Sequence, residues 1–269
     1  MKTAFSTLGC PQWTWEEITV TAADLGFDGI EVRGIGRDMY MPGAKIFQPE
    51  NIELTKKRLA NLNIVISCFA TDVHLNERFK IEDHLATACE YIDLADLLGV
   101  RYVRVLCENT PAPQAKIDFG GIVESLKTLT KYASQKGVTV LVETNGAFAD
   151  SYQMLKLMNK VNSPNLGVIW DIHHPYFYFN ENIEETYGIL KPYIRSLHIK
   201  DAWVEQDVSS KYTMIGHGNL PIKEILLLLK EDGYDGYLTL EWLKRWCGNL
   251  AEAGIVFPQY LAYINDVLK

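Results

Sequence analysis

The chain has 269 residues, 48% apolar and 22% charged, with a formal net charge of −8 from 26 Lys+Arg against 34 Asp+Glu. A chain of this length buries a large core without covalent staples, and its acidic balance opposes general binding to nucleic acid or to an anionic membrane. Five scattered cysteines without a C-x-x-C pair exclude a disulfide framework and a structural zinc knuckle, leaving free thiols of a reducing compartment.

The opening MKTAFSTLGCPQWTWEE reaches Pro, Trp and two Glu before a signal-length apolar run develops, and no later run approaches the roughly 18 apolar residues of a membrane span. The expectation is a cytoplasmic protein. Strand Thr3–Thr7 is followed by helix Trp15–Leu25, whose exit LGFDG carries the glycines expected of a helix C-terminus. Strand Gly29–Arg33 leads through an irregular stretch, Gly34–Pro49, to helix Glu50–Asn61. Strand Ile64–Ala70 precedes helix Ile81–Leu98, closed by LLGV, and strand Tyr102–Cys107 precedes helix Phe119–Gln135, closed by QKGV. Strand Val138–Thr144 pairs in sequence with helix Tyr152–Val161, and Leu166–Ile172 with Ile183–Leu190. Strand Ile194–Lys200 is separated by the irregular segment Asp201–Leu220 from helix Ile222–Glu231, which exits through EDGYDG. Strand Tyr237–Trp242 and helix Phe257–Leu268 complete the chain. Eight such βα units without a linker predict an α/β single-domain (β/α)8 TIM barrel over residues 1–269. A doubly wound sheet would carry a glycine-rich phosphate loop after its first strand, and STLGCPQW is not one.

The ends of strands five to eight carry the chemistry. They read VTVLVET with Glu143, LGVIWDI with Asp171, IRSLHIK with His198 and YLTLEW with Glu241. By strand alternation Glu143 shares its face with Leu141 and Thr139, Asp171 with Ile169 and Gly167, His198 with Ser196, and Glu241 with Thr239. The four therefore converge on the barrel axis at the face where barrel enzymes place their sites. Three carboxylates and an imidazole repel and desolvate one another unless a cation joins them, and the O,O,O,N set suits one divalent ion such as Mn²⁺, Mg²⁺, Co²⁺ or Zn²⁺. The plain alternative, four separate structural groups, does not explain why four consecutive strands end alike.

FSTLGCP, LGFDGIEVR, and HIKD followed by IGHGNLPIKEILLLLKEDGYDGYLTLEW resemble the xylose isomerase-like TIM-barrel family, the sugar phosphate isomerases/epimerases, across nearly the whole chain. Its members resemble inosose dehydratases, ketose 3-epimerases and hydroxypyruvate isomerases. The resemblance implies metal ligation by Glu143, Asp171, His198 and Glu241. It also implies that His174, three residues after the ligating Asp in DIHHP, contacts substrate or helps bind the metal. His173 is read as structural. One departure stands out: the arginine that follows the metal-binding His by six residues in the resembling epimerases is Val204 here. Lys200 is the nearest inward cation to take its place at the substrate. Arg33 and Arg104 also point inward by alternation, with an ion pair to Glu31 as the plain alternative for either. Of the rim aromatics, Trp13 is the candidate for stacking on a sugar.

The expected reaction is proton abstraction next to the carbonyl of a sugar or polyol-derived ketone through an enediolate. Glu143 and Glu241 would be both ligands and acid/base pair. Delivery to the opposite face gives epimerisation, return to the neighbouring carbon gives isomerisation, and loss of a neighbouring hydroxyl makes a dehydratase. A hydrolase resembling the apurinic endonucleases is opposed by Ser210 and Tyr212 where that family has Asp and His, and by the acidic charge. A non-catalytic sugar-binding barrel is favoured only by Val204. The partner is a small molecule, with no nucleic acid and no membrane, and the family leaves room for a homo-oligomer.

Overall fold

The computed structural model describes residues 1–205 and 209–269. Eight parallel strands close into a barrel: β1 (Lys2–Ser6), β2 (Gly29–Val32), β3 (Val65–His74), β4 (Tyr102–Leu106), β5 (Thr139–Glu143), β6 (Leu166–Asp171), β7 (Ile194–Ile199) and β10 (Tyr237–Leu240), with β10 paired to β1. Around it lie α1 (Trp15–Leu25), α2 (Pro49–Leu62), α3 (Ile81–Leu98), α4 (Phe119–Ser134), α5 (Ser151–Val161), α6 (His173–Phe179), α7 (Ile183–Leu190), α8 (Ile222–Glu231) and α9 (Ala253–Leu268). The predicted fold class and all eight predicted strands are present.

The strands have two dissimilar faces, and this places the site. Ile30, Val32, Val103, Val105, Val140, Val142, Val168, Leu197 and Leu238 belong to the large buried layer between strands and helices. Cys68, Leu141 and Ile169 form a separate small cluster with the half-buried Tyr102. Leu141 and Ile169 have the parity of Glu143 and Asp171, so this cluster fills the barrel interior beneath the charged groups. Helix α1 begins with a reciprocal cap: Glu17 N–H donates to Thr14 Oγ1 at 3.2 Å, and Thr14 N–H to Glu17 Oε2 at 2.7 Å. It ends at Gly26, whose φ of 82° lies in the left-handed region that costs glycine nothing.

Three segments differ from expectation, one of them the short helix α6, which is not among the predicted elements. The stretch after β7, expected to be irregular, holds β8 (Asp201–Glu205) and β9 (Ser209–Thr213), an antiparallel hairpin outside the barrel. Asp201 organises its base, accepting from Gly216 N–H and Gly218 N–H at 2.9 Å each and from Ala202 N–H at 2.8 Å. β3 continues four residues past the expected Ala70, because the chain keeps running beside β4 beyond a register shift, with His74 opposite Leu106. No helix among the described residues is long and apolar enough to cross a membrane.

Candidate active site

At the C-terminal ends of the strands, Glu143, Asp171, His198 and Glu241 meet, each buried, with one ligand atom of each lying within 4.8 Å of all the others. Glu143 and Asp171 close β5 and β6, and His198 is the penultimate residue of β7. Glu241 follows β10 directly, held by its N–H donating to Ile199 O at 2.9 Å. Asp171 is anchored at its backbone by Thr144 Oγ1, which lies 2.9 Å from Asp171 N and 3.2 Å from Asp171 O. Its Oδ1 accepts from the N–H groups of His173 and His174, at 2.9 and 3.2 Å, at the start of α6.

The two glutamates are placed alike. Oε1 of each lies 3.4 Å from His198 Nδ1. The other oxygen of each is tied to a buried cation: Glu143 Oε2 lies 3.3 Å from Arg104 Nε, and Glu241 Oε2 accepts from Lys200 Nζ at 2.5 Å. Lys200 Nζ also pairs with Asp171 Oδ2. On the far side of the imidazole, His198 Nε2 lies 2.8 Å from Glu31 Oε2, an interaction that reaches across the barrel from β7 to β2.

These contacts set the electrostatics. Burial opposes ionisation of Glu143, but the His198 imidazole and then the Arg104 guanidinium outweigh it and hold the carboxyl well below the usual range. Glu31 is likewise held down against burial, by His198. Burial disfavours a charged His198, yet Glu31, Glu241 and Glu143 together raise its pKa well above the ordinary histidine value. Lys200 is raised against burial by Asp171 and Glu241.

The arrangement fits a divalent cation. His198 Nδ1 is fully buried without a hydrogen-bond partner and faces two carboxylate oxygens, and the buried Asp171 Oδ2 faces the Lys200 ammonium and the His174 ring. Three hard oxygens and one imidazole nitrogen are the donors that Mg²⁺, Mn²⁺ or Zn²⁺ accept. Glu31 on the second ring nitrogen supplies the carboxylate–histidine pairing that fixes a ligating imidazole.

A profile of the family described as Xylose isomerase-like TIM barrel matches residues 20–256. The chain belongs to that family. A fructoselysine 3-epimerase of Shigella flexneri is 24% identical over 254 residues, covering 90% of this chain and 90% of the relative. Among solved structures of the same fold are a D-psicose 3-epimerase with D-tagatose from Clostridium cellulolyticum H10 and a xylose isomerase-like TIM barrel protein from Mycobacterium smegmatis in complex with magnesium. The first gives a TM-score of 0.79 at 18% identity over 100% of both chains, and the second 0.77 at 19% over 99% of this chain and 96% of that one.

The remaining sequence candidates of this family member lie as follows. His174 is buried, its Nδ1 2.9 Å from Thr144 O and 3.7 Å from Asp171 Oδ2. Arg33 is buried at the end of β2 and pairs with Asp72 Oδ1 at 2.5 Å, not with Glu31. Trp13 is half-buried with its ring edge-on to Phe257, centroids 5.7 Å apart. His173 stacks on Phe177, and it can offer a donor within 4.8 Å of those of Asp171 and His174. Glu31 is the residue that sequence reasoning misplaced. It was visible only as a partner for an arginine, although G-I-E-V-R gives it the same inward parity as Arg33.

Proposed function

We propose that this chain is a divalent-metal-dependent isomerase or epimerase of a sugar or sugar-like hydroxyketone, acting by proton abstraction next to the carbonyl. The observation that carries the proposal is the matched pair Glu143 and Glu241, each with one oxygen toward His198 and the other tied to a buried cation. The epimerase names of the similar proteins support the same reading. Glu143, Asp171, His198 and Glu241 would hold the metal, which supplies positive charge to stabilise an enediolate. One glutamate removes the proton on the carbon next to the carbonyl. The other delivers a proton to the opposite face, inverting that centre, or a single carboxylate returns it to the neighbouring carbon and isomerises the substrate. Arg104 and Lys200 fix the two carboxylates so that neither needs to reorganise as the proton moves. His174 and Arg33 are assigned to substrate hydroxyls, Lys200 to a cationic contact near the missing arginine at Val204, and Trp13 to an apolar ring face.

The test is deuterium uptake from D₂O, read by proton NMR, over a panel of ketoses and inososes with Mn²⁺ supplied. Exchange at a carbon next to the carbonyl is expected, and the product separates epimerase, isomerase and dehydratase. Glu143→Gln and Glu241→Gln should each lower the rate by about 10²–10⁴-fold, the usual contribution of a positioned acid or base. Unchanged rates in both variants would sink the two-base assignment. Absence of exchange across the panel, with Mn²⁺ shown to be bound, would overturn the proposed reaction.

A further inference from the structure

A second group of metal-ligating side chains, sharing no residue with the barrel mouth, is assembled where β3 passes into α3. The extension of β3 brings His74 to this point, and the next residue is secured by Leu75 N–H donating to Leu106 O at 2.9 Å. Glu77, in the following loop, sets its carboxylate between two imidazoles: Oε1 lies 3.7 Å from His74 Nδ1, and Oε2 lies 3.6 Å from His84 Nε2. His84 comes from the first turn of α3. The two rings stand edge to face with centroids 5.7 Å apart. His74, Glu77 and His84 can each offer one donor within 4.8 Å of the other two.

Several features make this more than a chance meeting of polar side chains. All three side chains are largely buried, at 15%, 25% and 15% exposure, and His84 Nε2 is buried without a hydrogen-bond partner. Donors about 2.0–2.1 Å from a tetrahedral ion stand roughly 3.3 Å apart. Each imidazole is within a few tenths of an ångström of that distance from its own Glu77 oxygen, and the three donors, all within 4.8 Å of one another, close by at most about 1.5 Å on ligation. Asp72 Oδ1 lies 3.9 Å from His74 Nε2, on the side that favours the tautomer leaving Nδ1 free, and Arg33 holds that carboxylate in place. Two contacts give way on ligation. Lys80 Nζ, 3.1 Å from Glu77 Oε2, belongs to a largely exposed side chain that is free to turn into solvent. The His84 ring proton moves to Nδ1, so the long 3.4 Å contact from His74 N–H is given up.

We infer that His74, Glu77 and His84 form a second metal site, selective for a borderline transition-metal dication and tying the end of β3 to the start of α3. Two imidazoles and one carboxylate favour Zn²⁺ or Co²⁺, whereas the oxygen-rich mouth also accepts Mn²⁺. The inference is independent of the proposed reaction. It is tested by equilibrium dialysis of the whole chain against Zn²⁺ and, separately, Mn²⁺, with metal counted by mass spectrometry. The wild type should take up two equivalents of Zn²⁺ but one of Mn²⁺. His84→Gln and Glu77→Gln should each reduce Zn²⁺ to one equivalent while leaving Mn²⁺ at one, which also shows that the barrel is folded. The double variant Asp171→Asn/Glu241→Gln should keep the one Zn²⁺ that His84→Gln loses. A single equivalent of Zn²⁺ in the wild type, undiminished in His84→Gln, would overturn the inference, as would a second equivalent that survives in both His84→Gln and Glu77→Gln. Loss of Mn²⁺ uptake alone, with the Zn²⁺ difference intact, would count against the mouth and not against this site.

Discussion

Glu31 shows how one side chain outside a ligand set governs it. Its carboxylate is fully buried and bonded to His198 Nε2, while its second oxygen has no partner, so its placement serves the imidazole. Replacing it by Gln should weaken Mn²⁺ binding about 10–100-fold while leaving the fold intact. A titration showing unchanged affinity would remove Glu31 from the site. The assignment was hard to reach from sequence because β2 is only four residues long and its register to β3 shifts between Ile30 and Glu31. His173 carries a different cost. Its imidazole stacks on Phe177 with both ring nitrogens unpaired, and burial, followed by the nearby Lys200 charge, pushes its pKa down to about 3. The unfolded chain, with an ordinary histidine pKa of about 6.5, takes up a proton that the folded state refuses. This group therefore lowers stability as pH falls from about 6.5 toward 3, by up to about 1.4 kcal/mol per pH unit. His173→Phe should remove that contribution, so its stability relative to wild type should rise as the pH is lowered in denaturant titrations. A difference that stays flat with pH would show that His173 titrates normally.

At the scale of elements, the helices were the most legible parts because their ends carry local chemistry. Thr14 and Glu17 bracket the start of α1, and a left-handed Gly26 stops it. Thr14→Ala should cost about 1 kcal/mol and lower the melting temperature by roughly 2–4 °C. A melt within error of wild type would mean that packing, not the cap, holds that end. The β8–β9 hairpin was not legible, since D-A-W-V-E and S-S-K-Y-T lack the apolar alternation of a core-facing strand. What holds it is specific and nonlocal. Asp201 gathers the glycine amides of the I-G-H-G turn, and Asn219 reaches 15 residues back to bond both the N–H and the C=O of Val204, at 2.8 and 2.9 Å. Helix α6 was hidden for a related reason, because H-H-P-Y-F-Y-F reads as an aromatic loop with a proline. That proline falls in the first turn of the helix, where its missing N–H costs little.

Across the whole molecule, the barrel was legible because parallel strands must present one face to the helices and another to the axis. The convergence of Glu143, Asp171, His198 and Glu241 followed from the same parity: Leu141 below Glu143 and Ile169 below Asp171 are the inward residues that alternation demanded. The second histidine cluster was not legible, because His74, Glu77 and His84 come from a strand end, a loop and a helix, and no single periodicity spans them. The Glu31–His198 contact joins residues 167 positions apart. All four candidate ligands at the mouth come from β5 onward, as does Lys200, while two of the groups that orient them, Glu31 and Arg104, come from β2 and β4. Neither half of the chain holds a complete set. Duplication or exchange of one half would hand down the candidate ligands without Glu31 and Arg104, or those two groups with nothing to orient.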